Sequence, residues 1–509
     1  MKKHFFPLLL IFQSLLNQSF AQETVPVFIT DSLDNYVARA LKAEQIPGIA
    51  VCIVKDGQVV LMKGYGVKEW GVYDKIDENT LFMIGSNTKA FTATALAMLE
   101  SDGKLSLNDK VTKWIPEFKL DNQLAGEQTI IRDLLSHRIG FETFQGDFTY
   151  WKSDLSRAEV IEKMGHIKAI YPFRTQWGYC NAAFLAAGEI IPRATGMQWE
   201  DYVEEKIFTP LGMTRTLALS RDLPAASNKA SAHDIVQGKL TRVPYCMMDN
   251  LAAAASISSS VNDLSKWLIM LLNNGKFEEI QVVPEAAIAE TRFPHSIVGS
   301  GGSLFNKGHF ALYGLGFGLR EYEGREIVSH TGGVTGFLSS VTLVPEENLG
   351  IVVLTNSIRN TFFYTLMEEV LDAYLGLPYR NYSHYRDSVS RIETIRQVSL
   401  ERQYTDSAAL HLKSALPLKE YTGNYFNDVY GNMQVVQEDG ELRMKFLHHL
   451  HMYAVLESLG GNRFYVTFTD PEFEKAIFPF TVKNSKVVSV TVKVADFVEY
   501  TPYIFQKME

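Results

Sequence analysis

A serine and a lysine three residues apart, Ser86 and Lys89, head a run of small and apolar residues, Ala90-Phe91-Thr92-Ala93-Thr94-Ala95-Leu96. The run keeps helical spacing until Ser101-Asp102-Gly103 breaks it, which predicts a helix with Ser86 in its first turn. Residues three apart share a helix face, so the Lys89 amine comes within reach of the Ser86 hydroxyl. A helix N-terminus offers unpaired N–H groups and a partial positive charge, which favour a developing alkoxide and the oxyanion that follows. Burial would lower the pKa of the amine and let it act as a base. The same spacing recurs at Ser101-Asp102-Gly103-Lys104, where Asp-Gly signals a turn instead.

A nucleophilic serine also needs an oxyanion hole and groups that orient substrate. The Gly-x-Ser-x-Gly elbow of α/β-hydrolases is absent, which argues against a Ser-His-Asp site. Two other segments could complete the site. Pro172-Phe173-Arg174-Thr175-Gln176-Trp177-Gly178-Tyr179-Cys180-Asn181 runs straight into a helical pattern, and Val328-Ser329-His330-Thr331-Gly332-Gly333-Val334-Thr335-Gly336-Phe337 is dense in glycine and feeds a hairpin.

The elements around these segments follow from periodicity. A helix is expected over 30–46, then strands over 49–54 and 59–64 joined by Lys55-Asp56-Gly57. A mostly helical region extends to about residue 275, with helices over 181–194, 197–208 and 261–272, the last capped by the Ser-rich 256–260. Strands return over 310–356, with a hairpin of 338–344 and 350–354, and an amphipathic helix covers 361–375. This is an α/β unit with an inserted helical region. Residues 377–415 are polar and lack clean periodicity, so they read as a linker. From 416 the texture becomes short β runs between Gly, Asn and Asp. Candidate strands are 433–437, 442–446, 452–456, 463–468, 476–482, 487–494 and 497–503, with another near Gly423. That is about eight strands, the count of a small closed barrel.

Taken together, Ser86-Asn87-Thr88-Lys89, Tyr179-Cys180-Asn181 and His330-Thr331-Gly332 resemble the three-motif set of the beta-lactamase-related serine hydrolases. The resemblance is to the class C group, which includes DD-peptidases, D-aminopeptidases and esterases. It covers roughly residues 28–376, with support from Leu134-Leu135-Ser136-His137, Pro210-Leu211-Gly212-Met213 and Ser256-Ile257-Ser258. It implies an antiparallel sheet flanked by helices plus an all-helical region, within a catalytic domain over 22–376. The tail over 416–509, with Tyr421-Thr422-Gly423-Asn424-Tyr425, resembles a lipocalin-like barrel carried by some members.

Roles implied by the resemblance are as follows. Ser86 attacks a carbonyl and forms an acyl-enzyme, while Lys89 and Tyr179 share the proton transfers, and either of the two could be the base. Asn181, His330, Thr331 and Gly332 bind substrate, and the N–H groups of Ser86 and Gly333 form the oxyanion hole. His330 stands where true beta-lactamases carry lysine. A group half-charged near pH 6.5 replaces a fixed cation, so recognition of a substrate carboxylate weakens. Small peptides, D-residue-containing ones included, and carboxylic esters become the expected substrates. The same residues serve an acyltransferase, or a sensor that is acylated once.

Other candidates carry blander readings. His448, His449 and His451 read as surface histidines, Arg174 as a salt bridge that steadies its loop, Cys180 as a small buried thiol and His137 as a cap or packing residue. Phe144, Tyr150 and Trp151 fit either cleft lining or core. No metal or organic cofactor is expected. The barrel could bind a ligand, cover the cleft, mediate homo-oligomers or stabilise the fold, and the sequence leaves these open.

Residues 1–21 read as a secretory signal: Lys2 and Lys3, an apolar core beginning at Phe5, and Ser19-Phe20-Ala21 before Gln22. The signal looks bacterial, so a periplasmic or secreted location is expected. No later stretch reaches spanning length, so no stable membrane insertion is expected. Its removal would take Lys2 and Lys3 and shift the net charge from −9 to −11, which argues against a nucleic-acid partner. Three cysteines, Cys52, Cys180 and Cys246, make neither a disulfide framework nor a zinc pattern. Stability must then come from a large core, which 46% apolar residues can supply.

Overall fold

The computed structural model describes residues 25–302 and 305–509, so the expected signal segment lies outside the described residues. The first helix, α1 (Leu33–Ala43), follows one π-type turn and leads into the hairpin of β1 (Gly48–Lys55) and β2 (Gln58–Gly66). Six later strands join it: β3 (Ser296–Gly299), β4 (Ala311–Tyr313), β5 (Gly318–Tyr322), β6 (Arg325–Val334), β7 (Phe337–Val344) and β8 (Leu349–Thr355). They form one eight-stranded antiparallel sheet in the order β2-β1-β8-β7-β6-β5-β4-β3.

The central strands are buried on both faces, because alternate side chains serve two separate cores. Ile49, Val51, Ile53, Ile351 and Val353 pack against α1 and a later helix, α6 (Phe362–Tyr374). Ala50, Cys52, Val54, Val352 and Leu354 belong to the larger core on the opposite face, built on α2 (Thr88–Ser101) and α5 (Val261–Leu272). Ser260 caps α5, its hydroxyl accepting the Asp263 N–H at 3.2 Å. Between α2 and α5 lie α3 (Asp147–Tyr150) and α4 (Asn181–Gly188). The helical region also holds a small hairpin, Ala232–Val236 with Lys239–Val243, which its polar composition concealed. No helix among the described residues is long and apolar enough to cross a membrane.

Two expectations change. Residues 377–415, read as a linker, contain α7 (Tyr382–Ala408), a helix of 27 residues. It is polar on most of its circumference and therefore shows no 3.6-residue period. Pairs such as Arg391 with Asp387 and Arg402 with Asp406 support it one turn apart. The second change is at 497–503, expected as a strand. The last strand, β16 (Tyr503–Lys507), begins only where that stretch ends. The preceding loop leaves the barrel and packs on the catalytic domain.

The barrel itself forms as expected. Its strands are β9 (Gly423–Asn427), β10 (Gly431–Glu438), β11 (Glu441–Phe446), β12 (Tyr453–Gly461), β13 (Arg463–Phe468), β14 (Lys475–Lys483), β15 (Lys486–Val492) and β16. Each pairs antiparallel with the next and β16 returns to β9, closing an eight-stranded ring. Inward residues such as Tyr425, Met433, Phe464, Phe480 and Phe505 are fully buried and fill the lumen.

Candidate active site

Ser86 lies in a single 3₁₀ turn, Gly85–Asn87, that opens directly into α2. The helix is apolar on all sides and buried from Thr88 to Leu99, so Lys89 on its first turn is carried into the interior. Its Nζ donates to Ser86 Oγ at 3.0 Å, to Asn181 Oδ1 at 2.6 Å and to the Ala254 carbonyl at 3.0 Å. Burial pulls the Lys89 pKa down from the usual lysine range to about 7, against the partial opposition of the Asp147 charge.

Tyr179 and Asn181 sit at the start of α4, which places both beside Lys89. The Lys89 ammonium stands 4.7 Å from the centre of the Tyr179 ring. Burial drives the Tyr179 phenol well above its ordinary value, although Ser86 beside it favours the phenolate. Its hydroxyl closes no hydrogen bond of ordinary geometry. Asn181 accepts Lys89 through Oδ1 and donates through Nδ2 to Asp147 Oδ2 at 2.5 Å. Its amide is thus partly committed inside the protein, and what it can offer a substrate is its remaining N–H. Asp147 is buried, and desolvation lifts its carboxyl to about 7 despite Asn181 and Lys89.

Strand β6 supplies the opposite wall. His330 is buried, with Nδ1 against the Thr331 carbonyl at 2.6 Å and Nε2 facing the Tyr313 hydroxyl at 3.0 Å. A carbonyl oxygen can only accept, so Nδ1 carries the proton and Nε2 accepts from the Tyr313 hydroxyl. Burial and the nearby Lys89 charge press the His330 pKa down to about 3. The expected half-charged histidine is therefore corrected: His330 is neutral across the physiological range.

Gly333 and Ser86 are brought together by close backbone approach. A Cβ on Gly85, whose φ is +51°, would stand 2.9 Å from the Gly333 nitrogen. Gly332, expected to touch substrate, is instead pressed against the Ser86 turn, where a Cβ would come 1.9 Å from the Ile84 carbonyl oxygen. Ser339 Oγ bridges the same place by donating to that oxygen at 2.7 Å. We expect Gly332→Ala to cost about 1–3 kcal/mol, read as a lower midpoint in thermal unfolding of the full chain. An unchanged midpoint would contradict this packing.

These walls enclose a cleft of about 440 Å³ lined by Ser86, Asn181, His330, Thr331 and Gly333 among others, with Lys89 directly behind. Its sides are aromatic, from Phe144, Trp151, Trp177, Tyr179 and Tyr313. Tyr150, by contrast, is core. Two further lining residues, Phe497 and Tyr500, come from the barrel loop; a Cβ on Gly333 would stand 3.4 Å from the Phe497 ring. Arg174 makes its salt bridge with Asp133 at 2.6 Å, and His137 packs, accepting the Cys180 N–H at 3.0 Å. His449 is corrected from surface to interior: it stacks on Phe148 and binds the Tyr430 hydroxyl and the Trp151 carbonyl.

An antiparallel sheet with a Ser-Lys pair at the head of a buried helix, a Tyr-x-Asn segment and a glycine-rich strand is the architecture of serine beta-lactamases and transpeptidases. The chain belongs to the beta-lactamase family, whose description matches residues 33–373. Residues 408–507, which include the barrel, match a family described as a domain of unknown function (DUF3471), a description that carries no lipocalin assignment. The chain is similar to the protein named Unguisins hydrolase ungD of Aspergillus violaceofuscus, at 28% identity over 439 residues, 80% of this chain and 76% of that one. In structure it is similar to an octameric penicillin-binding protein homologue from Pyrococcus abyssi, at TM-score 0.59 and 22% identity, over 93% of this chain and 99% of that one. A D-stereospecific amidohydrolase from Streptomyces sp. superposes with TM-score 0.54 and 21% identity, over 67% of this chain and 98% of that one.

Proposed function

We propose that this chain is an exported serine hydrolase that forms an acyl-enzyme on Ser86 and cleaves small peptides, D-residue-containing ones included, or carboxylic esters. The observation that carries the reading is the buried Lys89 amine, 3.0 Å from Ser86 Oγ and with its pKa lowered to about 7. Near neutrality a substantial fraction of molecules then holds a free lone pair aimed at the serine proton.

In the proposed cycle Ser86 Oγ bonds to the substrate carbonyl carbon as its proton passes to Lys89. The N–H groups of Ser86 and Gly333 receive the oxyanion, a role in which one donor is typically worth about 10²–10³ in rate. The resulting ammonium protonates the leaving amine or alcohol as the tetrahedral intermediate collapses. Water then attacks the acyl-enzyme by the same route and regenerates Ser86. Lys89 is the better base of the two candidates, because burial lowers its pKa while it raises that of Tyr179. Tyr179 is left to orient the serine and shield the amine from water.

The lining supports a substrate without a carboxylate next to the scissile bond. No arginine or lysine is among the described lining residues, and the neutral His330 offers no cation. Aromatic walls favour apolar acyl groups instead. The name of an Unguisins hydrolase among similar proteins agrees with hydrolysis, and that of a D-stereospecific amidohydrolase agrees with amide cleavage.

A panel of esters, D-aminoacyl amides, blocked and free peptides and a lactam, run beside Ser86→Ala, tests this reading. Multiple turnovers on neutral esters or amides are expected, with carboxylate-bearing lactams and D-Ala-D-Ala ends poor. Preference for the carboxylate-bearing members would overturn the substrate assignment. A stoichiometric Ser86 adduct without turnover would favour the sensor or an acyltransferase lacking its acceptor. Export is tested separately, by N-terminal sequencing of protein recovered outside the cytoplasm, which should begin at Gln22.

A further inference from the structure

Glu499 lies in the barrel loop just before β16 and is buried, 1% exposed. Its Oε1 accepts the Gly146 N–H at 2.8 Å, and its Oε2 accepts the Phe148 N–H at 2.9 Å and the Tyr503 hydroxyl at 2.8 Å. Gly146 and Phe148 flank Asp147 at the start of α3, so the carboxylate grips the backbone on both sides of that residue. Asp147 Oδ2 accepts Asn181 Nδ2, and Asn181 Oδ1 accepts the Lys89 amine that also touches Ser86 Oγ. An unbroken line of short contacts therefore runs from the barrel to the serine. A second barrel glutamate, Glu472, accepts the Thr335 hydroxyl at 2.6 Å, two residues beyond Gly333 on the other wall.

We propose that Glu499 is a positioning residue for the Ser86–Lys89 pair, acting through Asp147 and Asn181, so that the barrel is part of the active site. The proposal rests on the reading of Ser86 as nucleophile. The titratable groups facing the line are Tyr150, Tyr179 and Cys180 around Asp147, His137 and His330 around Lys89, and Tyr503 beside Glu499. Lys493 is turned away from the carboxylate, its Nζ donating to the Glu499 backbone carbonyl. Asp147 raises the pKa of Lys89 by its charge. Displacing or neutralising it must lower that pKa and move the acid limb of activity to lower pH. Glutamine at 499 keeps the shape but replaces one accepting oxygen with a donor that confronts an N–H.

The test measures kcat/KM of the full chain with p-nitrophenyl butyrate across neutral pH for Glu499→Gln, Asp147→Asn, the double variant and Ser86→Ala. We expect the plateau of Glu499→Gln to fall about 10- to 100-fold. Its acid limb should move down in pH as in Asp147→Asn. The double variant should be little worse than Asp147→Asn alone, because the two act as one unit. Multiplying effects, or a slower Glu499→Gln whose acid limb stays in place, would overturn the proposal. Should Glu499→Gln misfold, Tyr503→Phe removes one of the three donors and should shift the limb in the same direction by less. Ser86→Ala separates the two claims. If it retains turnover, the nucleophile reading fails; if it is dead while Glu499→Gln behaves like the parent, only the role of Glu499 fails.

Discussion

Replacing Ser86 with alanine should reduce ester and amide turnover by about 10⁴-fold or more, leaving the melting behaviour nearly unchanged. The size follows from the chemistry: without Oγ there is no acyl-enzyme, and a Lys89-activated water would have to attack in one step. The fold should tolerate the change, because Ser86 is only half-buried and one of three acceptors around the Lys89 amine. The Ile84 turn is held by other groups, with Thr88 Oγ1 donating to the Gly85 carbonyl and Ser339 Oγ to that of Ile84. Steady-state kinetics and a thermal melt on the same preparation check it. A variant that keeps more than about a tenth of the parental rate falls outside what loss of a nucleophile allows.

Lys89→Met should be the second most damaging change, at about 10²–10⁴-fold in kcat, the usual contribution of a general base. For the parent, kcat/KM should rise with pH through about 7, because the amine must lose its proton before it can accept one from Ser86. Lys89→Met should lose that limb as well as the rate. Lys89→Arg should not rescue, since a guanidinium does not give up its proton in this range. His330 does not explain a limb near neutrality, as its neutral form prevails well below it. A profile through neutrality that survives Lys89→Met would transfer the base role to another group, with Asp147 first in line.

Much of the catalytic wall is written locally. Ser86 and Lys89 lie on one helical turn, Tyr179 and Asn181 flank one helix start, and His330, Thr331 and Gly333 follow one another on β6, so spacing alone brings each group together. What joins the groups is not local. Asp147 meets Asn181 across 34 positions, and Glu499 meets Gly146 across 353. Neither residue carries a motif of its own. The charge of His330 was also invisible, because it depends on burial and on the nearby Lys89 charge. The loop at 497–503 misled by its alternating apolar residues. Pro502 within it was the available warning, since proline cannot donate to a strand ladder. The helix α7 was missed for the opposite reason: it buries little, so burial leaves no period in its sequence.

The central claim is that Ser86 is the residue acylated. Intact-mass measurement after treating the full chain with an alkyl fluorophosphonate, followed by peptide mapping, addresses it most directly. The account predicts one adduct per chain, located on Ser86, absent in Ser86→Ala and formed more slowly below neutral pH as Lys89 takes up its proton. An adduct on another residue, or undiminished labelling of Ser86→Ala, would contradict it.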